Sequence, residues 1–86
     1  EAMADGGVRV GFTREIAADL VRQVLLATAQ LLEAKGPASI KDEVSSAGGT
    51  TITGIKALEK HRIRYALIDA IEAATSRAKQ LREDHH

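Results

Sequence analysis

The chain has 86 residues, with 12 Lys and Arg set against 12 Asp and Glu, no cysteine, and Phe12 and Tyr65 as its aromatics. That length suits one small domain, the absence of cysteine excludes a disulfide framework or a thiolate zinc site, and balanced, interspersed charge argues against nucleic acid, which demands a clustered basic excess. No apolar run approaches the roughly 20 residues of a membrane span, so neither a membrane nor a nucleic-acid partner is expected.

The apolar fraction is 44%, and it is mostly Ala, Leu, Ile and Val. Such residues suit helices that approach closely. A domain this small buries only about 60% of the surface its unfolded chain exposes, and it would gain much by packing against a copy of itself. The N-terminus lacks the charged-then-apolar layout of a secretory signal, and a cytoplasmic location is expected. The start Glu1-Ala2-Met3 suggests a piece of a longer protein.

Residues 1 to about 11 read as the end of a helix halted by Gly6-Gly7, followed by a short connection. Gly6 and Gly11 have the outer spacing of a phosphate loop, but Phe12-Thr13 stands where Lys-Ser/Thr would be required, so that reading fails. Thr13 can cap the next helix, whose first turn carries Glu15. This helix is predicted over about 14 to 34. Ile16, Leu20, Val24 and Leu31 form one apolar stripe on it, and Val21, Leu25 and Leu32 form a second beside the first. Two adjoining stripes cover more than half the circumference. They point to a partner subunit, with a central helix wrapped by its own chain as the alternative.

Gly36-Pro37 ends that helix and starts the next, because Gly favours the position past a C-terminus and Pro the first turn. A short helix is predicted over about 37 to 46, another over about 49 to 60 with Ile52, Ile55 and Leu58 on one side, and a long one over about 64 to 82. The last carries Leu67, Ile71, Ala74, Ala78 and Leu81 in line and basic residues in its closing turns, which suits the negative end of the helix dipole. No strand pattern and no repeat occurs. The expected fold is all-α, a small helical domain that interlocks with a second copy.

Between two helices stand seven small or hydroxylated residues, Ser45-Ser46-Ala47-Gly48-Gly49-Thr50-Thr51. The first N–H groups of a helix have no partner inside it, and glycine removes the side chains that would hold a ligand off. Together with the helix dipole they can seat a carboxylate or phosphate, and the hydroxyls of Ser46, Thr50 and Thr51 can orient a second group on the same ligand. With no Lys or Arg in the stretch, a small singly charged anion fits better than a polyphosphate. The competing reading is an ordinary helix–helix turn, capped by Ser or Thr and relieved by Gly. Both readings stay open on the residues alone.

ADGGVRVGF (4–12), KDEVSSAGGTTITGIKALEK (41–60) and AIEAATSRAKQL (70–81), taken in order, resemble the C-terminal domain of pyrroline-5-carboxylate reductase. The D-x-V-x-S-x-G-G-T-T-I core carries most of the specificity. The resemblance implies that residues 1–86 form the helical dimerisation and substrate-binding domain, with an N-terminal dinucleotide-binding domain that is absent from this chain. It implies a homodimer that assembles further as a pentamer of dimers. It also implies hydride transfer from NADPH or NADH to the C=N carbon of a small-molecule substrate, Δ1-pyrroline-5-carboxylate, giving L-proline in amino-acid biosynthesis.

Carried onto this sequence, the resemblance places the substrate carboxylate on backbone N–H groups of Gly49, Thr50 and Thr51, with the Ser46 hydroxyl assisting. It places Thr51 on the ring nitrogen as the catalytic residue, and Val44 in the pocket wall. Two positions depart from the family pattern. Ala47 stands where proline is frequent, and His61-Arg62 stands where a Gly-Gly pair often ends the preceding helix, so a different backbone path is expected there. No GxGxxG occurs, so this chain alone is expected to bind no dinucleotide and to turn over nothing.

His61, His85 and His86 lack metal-ligand spacing, and Asp69 and Glu72 read as surface or interface charges rather than an acid pair. Two other functions compete with the first: a helical association module without chemistry, and a related two-domain reductase acting on another small acid.

Overall fold

A computed structural model of the chain describes residues 1–84. Five helices follow one another: α1 (Ala2–Arg9), α2 (Arg14–Leu32), α3 (Pro37–Val44), α4 (Thr50–Lys60) and α5 (Ile63–Asp84). No strand occurs among the described residues, so the all-α expectation holds. From α2 onward the predicted ends agree with the observed ones to within two residues. None of the described helices is long and apolar enough to cross a membrane. His85 and His86, weighed above as metal ligands, lie outside the described residues. The helices fall into two compact units, Glu1–Val44 and the chain from Ser45 onward.

In the first unit the expectation at Gly6-Gly7 is corrected: the helix runs through both glycines to Arg9. A glycine inside a helix costs about 1 kcal/mol relative to alanine, so packing has overridden propensity. A Cβ on Gly7 would lie 2.9 Å from the Ala17 Cβ of α2, closer than real side chains approach. The bare Cα lets α1 and α2 come together, and Ala4 and Ala17 are the two buried apolar residues there. The actual stop lies later. Gly11 takes φ +118, its N–H donates to the Val8 carbonyl at 3.1 Å, and the Phe12 N–H donates to the Gly7 carbonyl at 3.0 Å. Those two bonds form a Schellman motif, which uses up carbonyls the helix end leaves unpaired.

α2 begins as its sequence foretold. The Thr13 backbone is extended and its side-chain oxygen accepts from the Ile16 N–H at 3.3 Å. Of its long apolar face only Ala17 is buried; Ile16, Leu20, Val24, Leu25, Leu31 and Leu32 remain exposed. A central helix wrapped by its own chain is therefore not what forms. Pro37 opens α3 and the Ile40 N–H bonds to the Gly36 carbonyl at 3.2 Å, the start expected of a Gly-Pro step.

In the second unit, α4 and α5 are joined by a turn at His61 and Arg62. Arg62 sits at φ +59, the chain's one non-glycine residue with positive φ among those described. Its N–H donates to the Glu59 carbonyl at 3.1 Å. Glycine is favoured in such a position; here arginine adopts the left-handed backbone instead. The Arg62 guanidinium carbon lies 5.4 Å from the Tyr65 ring centre, and Arg64 pairs with Glu59 at 2.8 Å across the turn. No described residue of this unit is buried, and Leu58, Leu67, Ile68, Ile71 and Leu81 all face outward.

Candidate functional site

The small-residue stretch forms the entry to α4. The Gly49 N–H donates to the Ser46 carbonyl at 3.1 Å, closing a four-residue turn with Ala47 and Gly48 at its centre. Gly48 has φ +69. A positive φ at the third position, with no such angle at Ala47, is the pattern of a type II turn. Proline is favoured at the second position of that turn, so Ala47 occupies a place where proline would fit.

Gly49 then caps α4 with extended backbone, φ −81 and ψ 178, and supplies no side-chain acceptor. The first bond along the helix runs from the Thr53 N–H to the Gly49 carbonyl at 3.3 Å, and the Thr53 hydroxyl donates to the same oxygen at 2.9 Å. Of the four N–H groups that a helix start leaves without an internal partner, that of Gly49 is therefore taken up by the turn. Those of Thr50, Thr51 and Ile52 remain. Eleven residues of helix stand behind them, their aligned peptide dipoles placing partial positive charge at this end.

The expected site residues are distributed as follows. Val44 ends α3 in the first unit, with its side chain exposed. Ser46, Gly49, Thr50 and Thr51 all lie in the second unit, within the turn and the first turn of α4. Ser46 and Gly49 touch: a Cβ added to Gly49 would overlap the Ser46 hydroxyl oxygen. Ser46 and Thr50 are exposed, and Gly49 and Thr51 half-buried. No charged side chain stands among them, and the first turn of α4 carries no acid.

Two participants were absent from the sequence reading. The Ile52 amide joins the unpaired set because α4 starts at Thr50 rather than Gly49, which moves the unpaired amides one residue along. Thr53 fixes the cap carbonyl through its hydroxyl. Its place four residues after the glycine could have disclosed it, since a threonine side chain in a helix can reach the carbonyl of residue i−4. What this entrance can do is hold a small carboxylate by peptide N–H groups and present hydroxyls to the rest of the molecule.

The sequence matches, over residues 1–81, the family described as pyrroline-5-carboxylate reductase dimerisation. It is 49% identical over 83 residues to the pyrroline-5-carboxylate reductase of Thermus thermophilus, covering 96% of this chain and 32% of that protein. With the Pisum sativum protein of the same name it is 45% identical over 83 residues, 94% of this chain and 30% of that one. The chain thus spans about a third of the length of these curated relatives. Its backbone also resembles a crystal structure of Plasmodium falciparum pyrroline carboxylate reductase with NADP bound, at a TM-score of 0.80 and 32% identity, over 85% of this chain and 29% of that one.

Proposed function

Since the chain belongs to the pyrroline-5-carboxylate reductase dimerisation family, we propose that it supplies the dimer interface and the substrate carboxylate site of a reductase that converts Δ1-pyrroline-5-carboxylate to L-proline. The observation that carries the site is the α4 entrance, where unpaired amides follow a glycine cap and the first helical turn holds no acid. The observation that carries the association is the apolar surface left open, Leu20, Val24 and Leu25 on α2 and Leu67, Ile68 and Ile71 on α5 among it. The partner is a second copy, and a pentamer of such dimers is the larger assembly proposed.

In this reading the substrate carboxylate rests on the N–H groups of Thr50, Thr51 and Ile52, and the Ser46 hydroxyl donates to one of its oxygens. Gly49 contributes through its missing side chain rather than its N–H, which the turn employs. The Thr51 hydroxyl bonds the ring nitrogen and holds the C=N carbon in place. A threonine hydroxyl is far too weak an acid to be a tuned proton donor near neutral pH, so Thr51 positions the imine and relays a proton from water. Reduction adds hydride to the C=N carbon and a proton to the nitrogen. The hydride donor, NADPH or NADH, is bound by a part of the reductase other than this chain.

The test joins this chain to the nicotinamide-binding part of a relative and follows NAD(P)H oxidation with pyrroline-5-carboxylate. Thr51→Val should slow kcat by roughly 10-fold to 100-fold without abolishing turnover, the scale of one lost hydrogen bond to a group gaining charge. Unchanged kinetics would remove Thr51 from the site. The association-module reading draws on the Gly49 N–H being consumed by an ordinary turn. It expects the same sedimentation but no shift of the amide resonances of residues 46 to 52 on adding L-proline.

A further inference from the structure

Two adjacent glycines precede α4, and they are glycines for different reasons. Gly48 has φ +69, a backbone that other residues rarely adopt, and a Cβ there would meet nothing within 4 Å. Gly49 is the reverse. Its φ of −81 and ψ of 178 are extended backbone open to any residue. A Ser, Thr, Asn or Asp at that N-cap would even accept from the unpaired N–H groups of α4. Conformation gives Gly49 no reason to be glycine, and helix capping gives it a reason not to be.

Space supplies the missing reason. A Cβ on Gly49 would overlap the Ser46 hydroxyl oxygen, while standing 3.3 Å from the Ser46 carbonyl oxygen and 3.6 Å from the Ser46 Cβ. We propose that Gly49 is a positioning residue whose bare Cα keeps the Ser46 hydroxyl seated against the entrance of α4, where that hydroxyl meets the substrate carboxylate. The proposal rests on the functional reading above and adds to it a dependence of Ser46 on Gly49.

The geometry determines what substitution would do. The hydroxyl is the outer end of a side chain with one rotatable bond to Cβ, so it can swing away from an added methyl group. The backbone carbonyl at 3.3 Å has only a few tenths of an ångström to yield. Gly49→Ala should therefore fold and associate, but with the Ser46 hydroxyl turned off its seat. Functionally it should imitate Ser46→Ala.

The experiment uses a full-length reductase in which this chain replaces the matching segment of the Thermus thermophilus relative. KM for pyrroline-5-carboxylate and kcat are measured for Gly49→Ala, Ser46→Ala and the double variant, with circular dichroism and sedimentation as checks on fold and assembly. A hydrogen bond to the carboxylate that is present both before and during reaction is uniform binding, so its loss raises KM with kcat little changed. Each single variant is expected to raise KM roughly tenfold, and the double variant to be no worse than Ser46→Ala alone. Multiplying effects would show that Gly49 acts independently of Ser46 and would overturn the proposal. If Gly49→Ala alone fails to fold, restoration of the fold by adding Ser46→Ala supports the seat, and persistent unfolding overturns it. Should Ser46→Ala leave KM unchanged, the carboxylate reading fails first. A tenfold rise for Ser46→Ala with none for Gly49→Ala leaves that reading standing and removes only the seat.

Discussion

The hairpins α1–α2 and α4–α5 turn by the same device and are held by different means. Each first helix stops at a residue near the bridge region, Val10 at φ −92 and ψ 2 and His61 at φ −93 and ψ 11. Each is followed by a left-handed residue, Gly11 or Arg62, whose N–H reaches back three residues at 3.1 Å, to Val8 or to Glu59. Beyond the turn they part. α1 and α2 close over Ala4 and Ala17, with Gly7 thinned to let them meet. In α4 and α5 nothing described is buried, and Ile71 is 71% exposed. A turn directs a chain but gives it no core. The first hairpin finds part of its core between its own two helices, whereas the second buries no described residue of its own.

The most forceful way to break that contrast is Ile71→Asp. A buried side chain of this size contributes about 1.5–3 kcal/mol, and in a symmetric dimer every substitution counts twice. The dimer should weaken by about 3–6 kcal/mol, roughly two to four decades in Kd, as read by sedimentation equilibrium. Unaltered association would mean that this face of α5 is ordinary surface, and the second hairpin would need some other source of stability.

A smaller effect sharpens the other half of the comparison, and it comes as a pair. Gly6 and Gly7 are neighbours in α1, yet a Cβ on Gly6 would meet nothing within 4 Å while one on Gly7 meets Ala17 at 2.9 Å. Gly6→Ala should raise stability by about 0.5–1 kcal/mol through helix propensity. Gly7→Ala should lower it by about 1 kcal/mol, since overpacking of about 1–3 kcal/mol outweighs the same propensity gain. Thermal unfolding at one fixed concentration reads both. Equal shifts in the two variants would show that α1 and α2 do not approach as closely as described.

The same pair shows where the sequence could be read and where it could not. Helix positions followed from apolar spacing, and the Thr13 cap from its residue type, because both signals are local. Gly6-Gly7 was misjudged as a stop because propensity is local too, whereas the reason α1 continues is Ala17, ten residues away from Gly7 on another helix. At the α4 entrance, a helix start preceded by glycines and flanked by hydroxyls was legible, and so was a turn relieved by glycine. Which amides stay unpaired was not. That depends on whether the helix begins at Gly49 or Thr50, a one-residue difference set by the Ser46 turn. The steric bond between Ser46 and Gly49 was equally hidden, for no pattern of residue types encodes the room beside a Cα.

Arg62 offers the finest comparison between the hairpins, since it does with a side chain what Gly11 does without one. The left-handed backbone costs a residue bearing Cβ about 1–2 kcal/mol, and Arg62 recovers about 0.5 kcal/mol from its exposed contact with the Tyr65 ring. Arg62→Gly relieves the first term and forfeits the second. It also raises the entropy of the unfolded chain, by about 0.4–1 kcal/mol. The balance is a gain of a few tenths of a kcal/mol. Arg62→Ala keeps the strained backbone and loses the ring contact, so it should be destabilised by about 0.5 kcal/mol. The expected order of melting temperatures is Arg62→Gly first, the unsubstituted chain second and Arg62→Ala last. If Arg62→Gly melts below the unsubstituted chain, the Tyr65 contact and the added unfolded-chain entropy together outweigh the backbone strain, and the two turns share a shape without sharing the reason for it.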